Sequence, residues 1–519
     1  MLVKTFASAV QGVDAQTITV EVNTGGHASF DGKAFYHLVG LPDSAVREGM
    51  MRMEPALKNS GFEVIRLKTV VNLAPADIRK EGAAYDLPIA LAYLAGSRQI
   101  AATELDQYLI MGELSLDGSL RPIKGALPMA IQARKEEFKG IILPKANARE
   151  AAIVNDIKVY GVNTLAEAAG FLDGQLDLQP TFVETRDEFA AQVGDYDVDF
   201  TDVRGQENIK RALEIAAAGG HNLILIGPPG AGKTMLARRL PTILPPLDLR
   251  EALETTKIHS VAGTLPDHSA LITQRPFRAP HHTISDVALV GGGSNPNPGE
   301  ISLAHHGVLF LDELPEFKRS VLEVMRQPME ERRVTISRAR VTVDYPASFM
   351  LVASMNPCPC GYHNHPEKEC SCGPGRVERY LNKISGPLLD RIDLHVEVTP
   401  VSYDELSDDA RPAEQSEDIR ERVIQARDLQ RQRFADQKGI YANAQMSSRM
   451  VREVCQISKP GSLLIKKAME RLQLSARAYD RILKVARTIA DLGGSPDIKI
   501  EHLAEAIHFR SLDREGWLS

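Results

Sequence analysis

An eight-residue run carries the most specific chemistry in this 519-residue chain: Gly227, Pro228, Pro229, Gly230, Ala231, Gly232, Lys233 and Thr234. It satisfies G-x-x-x-x-G-K-[ST] at every position. The glycines let backbone N–H groups turn inward around a phosphate, and a helix beginning at the loop adds its dipole. Lys233 reaches toward β/γ-phosphates, and the Thr234 hydroxyl suits a Mg²⁺ ion. The apolar run 222–226 and the amphipathic run 235–240 predict a strand before the loop and a helix after it. That order is what phosphate binding requires, so ATP and Mg²⁺ are the expected ligands.

Three further groups could complete such a site. An apolar strand pattern at 307–311 ends in Asp312 and Glu313. Asp312 suits the surroundings of the Mg²⁺ ion, and Glu313 suits orientation of an attacking water; read alone, the pair could instead cap a following helix. A second apolar run, 348–354, leads to Asn356, which can place that water or meet a γ-phosphate; read alone, it is a turn residue before Pro357. Close behind come Cys358, Cys360, Cys370 and Cys372, four of the five cysteines in the chain. Four thiolates can close a tetrahedral Zn²⁺ site, although C-x-C is tighter than the usual C-x₂-C spacing. Free thiols or a redox-labile pair are the alternatives. Gly361, Gly373 and Gly375 would let the segment turn back sharply. The histidine pairs His281/His282 and His305/His306 carry no accompanying carboxylate pattern and read as structural or phosphate-side residues.

These residues need a scaffold. Residues 202–400 alternate apolar strands with loops and helices, the pattern of a parallel sheet buried on both faces. Before it, residues 1–172 read as mixed α/β: Ile18, Val20 and Val22 alternate as in a half-buried strand, Val46, Met50, Met53 and Leu57 share a helical face behind Asp43 and Ser44, and Thr164 and Glu167 form a capping box. The run 126–138 reads as a helix and 140–143 as a strand. Residues 173–201 are acidic and weakly periodic, and read as a linker. A Cys-rich insert spans 357–375. Residues 401–445 are polar and helical, and the chain ends in helices whose best amphipathic stretch is 476–492.

Composition narrows the classes. Charged residues make up 25% and apolar residues 43%, ordinary for a globular protein and not for a disordered one. No apolar run approaches the ~18 residues of a membrane span, and the first residues lack a signal-peptide layout, so a cytoplasmic protein without membrane attachment is expected. The net charge of −7 argues against a generally basic surface but leaves room for a local basic stripe. Residues 332–343 read as such a stripe on a β-hairpin, with Arg333, Arg338 and Arg340 among its cations; solvated charge on an ordinary hairpin is the alternative.

Together the P-loop, the Asp-Glu strand and the polar strand end resemble an AAA+ ATPase. The runs 202–207, 278–282, 298–302, 303–314 and 388–392 resemble, more narrowly, the magnesium-chelatase-like family and its ComM/YifB group, and the likeness covers nearly the whole chain. It implies a Lon-protease-like N-terminal α+β domain, an AAA+ core and a C-terminal helical lid. The Lon-like Ser/Lys dyad falls near Ala84 and Leu127, which can supply neither a nucleophile nor a base. The resemblance places Val203 and Gln206 at the nucleotide, makes Arg391 a finger reaching a neighbouring subunit's γ-phosphate, and makes Arg477 a sensor in the lid. A finger supplied in trans implies a ring, a homohexamer. The hairpin arginines and the run 290–293 would then face a central channel holding DNA. The implied activity is ATP-driven DNA translocation or unwinding on single-stranded and branched DNA, promoting branch migration during recombination of transforming DNA, in company with recombination proteins. A chelatase-type motor that remodels a protein partner or loads a metal is the main rival, and a regulatory ATPase partnering a protease is a third class.

Overall fold

The computed structural model describes residues 1–25, 35–65, 68–101, 103–191, 196–266, 270–293, 296–338, 342–363, 365, 367–373, 375–400, 413–437, 439–472 and 474–510. Contacts divide the chain into two units, Met1–Gln192 with Leu249–Ile272, and Val193–Asp248 with Thr273–Ser519. The fold is mixed α/β with a parallel sheet and a helical C-terminal region. Among the described residues no helix is long and apolar enough to cross a membrane.

In the first unit the alternating Ile18, Val20 and Val22 are fully buried on the strand Asp14–Thr24. That strand pairs antiparallel with Leu2–Gln11 and with Lys68–Ala74 inside a seven-stranded sheet. The helix Ser44–Asn59 buries Val46, Met50, Met53 and Leu57, and the Asp43 carboxylate accepts the Val46 N–H at 2.8 Å. Thr164 caps the helix Leu165–Leu172 through the Glu167 N–H at 3.1 Å, but Glu167 turns back to the N–H of Asn163 instead of that of Thr164. Leu127 is buried in the helix Ala126–Lys135, and its N–H donates to the buried Glu150 at 2.9 Å. The Ser260 hydroxyl bonds the same carboxylate.

Two helices add to the sequence-based domain outline. The helix Leu249–Ala262, which lies within the stretch read as ATPase core, packs in the first unit, where Ser260 also accepts the Gly125 N–H at 3.1 Å and Lys257 pairs with Asp14 at 2.7 Å. The stretch read as a linker contains the helix Thr185–Ala191, tied down by Arg149 and Glu188 at 3.1 Å.

The second unit is built on five parallel strands in the order Phe277–Arg278, Val308–Leu311, Met350–Met355, Leu223–Ile226 and Leu394–Glu397. All side chains of the three central strands are buried, as continuous apolar runs require in a sheet covered on both faces. At about 1.5–3 kcal/mol per buried aliphatic side chain, this layer anchors the unit. The helices Glu207–Gly219 and Lys233–Ile243 share one core with the C-terminal helices Ser416–Arg433, Lys459–Arg471, Ala476–Leu492 and Ile500–His508. A buried polar cluster joins the C-terminal helices to the sheet. His221 meets Thr488 at 2.8 Å and Asp393 at 3.4 Å, and Asp393 also takes Arg481. Burial alone would raise the Asp393 carboxyl, yet Arg481 and His221 outweigh it and hold the group well below the usual carboxylate range.

Candidate nucleotide and metal sites

Parallel strands deliver their carboxyl ends to one edge of a sheet, and ligands of such sheets bind there. The strand Met350–Met355 lies between the P-loop strand and the Asp-Glu strand, pairing Ile226 with Met355 and Leu311 with Ala353. Asn356 therefore emerges between the loop and the carboxylates. Its Oδ1 accepts from Lys233 Nζ at 3.1 Å, and the same ammonium donates to the carbonyls of Gly227 at 2.8 Å and Pro228 at 2.9 Å. Burial lowers the Lys233 pKa, and the charges of Asp312 and Glu313 oppose that shift. Gly230 and Gly232 take φ of +81° and +82°, values that a side chain would strain, and the helix Lys233–Ile243 starts directly behind them.

Thr234 Oγ1 donates to Asp312 Oδ2 at 2.8 Å. An octahedral Mg²⁺ with bonds of about 2.1 Å sets neighbouring oxygens about 3 Å apart, so this pair fits one ion. The other Asp312 oxygen accepts from Ser354 and, at 3.1 Å, from the Glu313 N–H. Ser354 went unnoticed in the sequence; register alone points to it, since it follows Ala353, the partner of Leu311. Glu313 turns out of the strand with φ of +54°, its side chain 57% exposed, and it caps nothing: the short 3₁₀ turn Leu314–Glu316 has no side-chain cap bond. Its Oε2 lies 3.5 Å from His282 Nδ1. Val203 is buried, and Gln206 donates to the Ala231 carbonyl at 3.1 Å, against the back of the P-loop.

Arg391 is not presented at a surface. It is 7% exposed, bonded to the Pro387 carbonyl at 2.6 Å and paired with Glu330 at 2.5 Å. Arg477 is exposed on the first turn of the helix Ala476–Leu492, which Ser475 caps.

The four cysteines of the insert converge. Cys358 Sγ lies 3.3 Å from Cys360 Sγ and 3.7 Å from Cys370 Sγ, Cys360 and Cys370 are 3.5 Å apart, and with Cys372 all four sulfurs lie within 4.8 Å of one another. Zn–S bonds of about 2.3 Å give tetrahedral S···S edges near 3.8 Å, so the set fits zinc. The insert touches the nucleotide loop: a Cβ on Gly361 would stand 2.5 Å from Pro229 Cδ.

The hairpin is Arg333–Ser337 paired antiparallel with Thr342–Pro346. Val334, Ile336, Val343 and Tyr345 are buried, while Arg333 and Arg338 are exposed. Asp344 shares the exposed face and accepts from Thr335 at 2.5 Å. Arg340 lies outside the described residues. Gly291 and Pro296 lie against this hairpin: the Tyr345 hydroxyl donates to the Pro296 carbonyl at 2.6 Å, and a Cβ on Gly291 would lie 2.9 Å from Ile336 Cδ1.

Family models described as magnesium chelatase, subunit ChlI, match residues 199–406, with further ChlI models over 20–147 and, for the C-terminal part, 413–510. The chain is 45% identical to competence protein ComM of Haemophilus influenzae, over 98% of this chain and 97% of that one. It is likewise 45% identical to protein YifB of Escherichia coli, over 98% and 96%. The magnesium-chelatase 67 kDa subunit of Heliobacterium mobile is 28% identical over 31% of this chain and 28% of its own.

Proposed function

Because the chain belongs to the magnesium-chelatase-like AAA+ family, in its ComM/YifB group, we propose that it is an ATPase that drives DNA translocation and unwinding, as a branch-migration motor during recombination of transforming DNA. The observation that carries the ATPase reading is the convergence of Lys233, Thr234, Asp312, Glu313 and Asn356 at one edge of the parallel sheet. Lys233 and the loop N–H groups bind phosphates, Thr234 and Asp312 hold Mg²⁺ directly or through water, and Glu313 orients the attacking water. Bound Mg²⁺ supplies charge neutralisation across the phosphates. Arg391 acts as a finger across a homohexameric ring, and Arg477 acts as a sensor in the lid. The relative's name ties that protein to competence, which supports recombination of incoming DNA as the setting, with recombination proteins as partners in the cytoplasm.

The DNA part of the reading rests on the exposed Arg333 and Arg338 and on the neighbouring contact of Tyr345 with Pro296. Each arginine that meets a phosphate releases counterions, so single-strand affinity falls steeply with salt. Substituting Arg333→Ala or Arg338→Ala is expected to weaken binding to a poly-dT strand and to lower the slope of log K against log salt by about 0.7 each. Unchanged affinity and slope in both variants would sink the DNA-facing assignment and favour a chelatase-type motor acting on a protein partner.

The cysteine cluster is read as a structural zinc site that stiffens the insert against the P-loop. Metal analysis of the purified chain is expected to find about one zinc per chain, lost in Cys360→Ser. Less than half an equivalent in the unsubstituted protein would count against it.

A further inference from the structure

We propose that Asn222 is a positioning residue for ATP hydrolysis: its side-chain amide fixes the backbone from which the Arg391 guanidinium reaches out, a role that rests on the reading of Arg391 as a finger given above. Asn222 stands directly before the P-loop strand Leu223–Ile226, at the end of that strand away from the loop. Arg391 lies between the helical turn Gly386–Leu389 and the strand Leu394–Glu397, in neither element. Each polar atom of Asn222 is engaged. Its N–H donates to Asp393 Oδ2 at 3.0 Å, and its carbonyl accepts the N–H groups of Asp393 at 2.9 Å and Leu394 at 3.1 Å. Its Oδ1 accepts the Leu351 N–H at 2.9 Å, on the strand that leads to Asn356. Its Nδ2 donates to the Arg391 carbonyl at 3.1 Å. These partners fix the amide's orientation. Turned over, it would set oxygen against the Arg391 carbonyl and nitrogen against the Leu351 N–H.

The root of Arg391 and its side chain have different tasks. The guanidinium is held by Glu330 at 2.5 Å and by the Pro387 carbonyl at 2.6 Å, and it must leave both to reach a neighbour's phosphate. A long side chain that swings delivers its charge to one place only if the backbone it turns about stays still. The Arg391 N–H bonds the Leu388 carbonyl at 3.0 Å, which ties the residue to the preceding turn. The Asn222 amide ties its carbonyl to the sheet. Two residues further on, Asp393 is held by the Asn222 N–H, by His221 at 3.4 Å and by Arg481, so the chain is fastened on the strand side of the finger as well. Asn222 touches no nucleotide atom and acts through Arg391.

Two readouts separate this role from general support of the sheet. The strand that Asn222 begins carries the P-loop at its other end, so a merely structural role predicts weakened nucleotide binding. A role through Arg391 predicts that the effect vanishes once Arg391 is gone, which a double-mutant cycle reads directly. With the full chain, at a concentration where turnover per chain is constant, Asn222→Ala is expected to lower kcat at least about tenfold, the scale on which misplaced catalytic groups act, while KM for ATP stays within about twofold. Added to Arg391→Ala, the same substitution is expected to change the residual turnover by less than about twofold. An unchanged kcat in Asn222→Ala, a loss that appears equally in nucleotide affinity, or a loss that multiplies with that of Arg391→Ala would each overturn the proposal. Should Asn222→Ala fail to fold, Asn222→Asp, which keeps the acceptor for the Leu351 N–H and removes the donor to Arg391, carries the same measurements. Full turnover in Arg391→Ala would instead overturn the finger reading, and the proposal with it.

Discussion

Glu313→Gln is expected to cut ATP turnover by at least about a hundredfold, the usual contribution of a positioned general base, while ATP binding stays intact. That corresponds to about 2.7 kcal/mol of transition-state stabilisation. The two effects separate because the binding groups and the water-directing group sit on different elements. In the proposed site, phosphates would meet Lys233 and the loop 227–232, and Thr234 and Asp312, 2.8 Å apart, would frame Mg²⁺. Glu313 meets Asp312 through its backbone N–H, a contact that glutamine keeps. It turns away from the strand at φ +54° with its side chain largely in solvent, as a group that must reach an arriving water would. Glutamine keeps the shape and the rotamer choices but cannot accept the water's proton. A fluorescent ATP analogue read by anisotropy should therefore bind Glu313→Gln as tightly as the unsubstituted chain, and release of phosphate should nearly stop. Full turnover in this variant would remove Glu313 from its role; lost binding would place it among the phosphate contacts.

Arg391→Ala is expected to lower turnover by about three orders of magnitude in the assembled protein, the lower end of what an arginine finger contributes. Its geometry within a single chain makes this a demanding expectation. The guanidinium is held by Glu330 at 2.5 Å and by the Pro387 carbonyl at 2.6 Å, and the side chain is almost wholly covered. Its Nε is buried with no hydrogen-bond partner among the described residues. A finger reaching a neighbour's γ-phosphate must leave Glu330, whose own side chain is 55% exposed and rehydrates at little cost. Glu330→Gln weakens that pair without removing the arginine. If Arg391 is a finger, Glu330→Gln keeps or raises turnover while Arg391→Ala loses it with nucleotide affinity retained. If the pair is only structural, both substitutions lower the melting temperature together and neither selectively affects kcat. Measuring kcat and thermal stability for the two variants side by side distinguishes these outcomes.

The P-loop, its strand and its helix were legible because phosphate chemistry dictates both the residues and their order. The buried runs of the central strands were legible for a similar reason, since a sheet covered on both faces leaves no polar alternation to confuse the period. The helix Ala476–Leu492 has the limits its amphipathic pattern indicated. What escaped the sequence depends on pairing. The edge strand Phe277–Arg278 is two residues long, too short for any periodicity, yet it pairs beside the Asp-Glu strand and closes that edge of the sheet. Ser354 reaches Asp312 by the same kind of neighbour relation. The helix Leu249–Ala262 displays an ordinary apolar face, and such a face does not say which core it joins; it packs with the N-terminal unit. The helix Thr185–Ala191 lies in a stretch whose weak pattern reads as a connector, since seven residues offer barely two turns to judge. The spacing of the cysteines announced a cluster, but not that Gly361 would set it against Pro229 of the nucleotide loop.

The proposed function requires that ATP hydrolysis here moves DNA. Its most direct test is steady-state phosphate release by the full chain with and without single-stranded DNA, run beside strand separation of a forked duplex in the same buffer. Turnover is expected to rise several-fold with single strands, and separation of the fork is expected to need ATP and to be lost in Glu313→Gln. Turnover indifferent to DNA, together with a fork left intact in the presence of ATP, would contradict it.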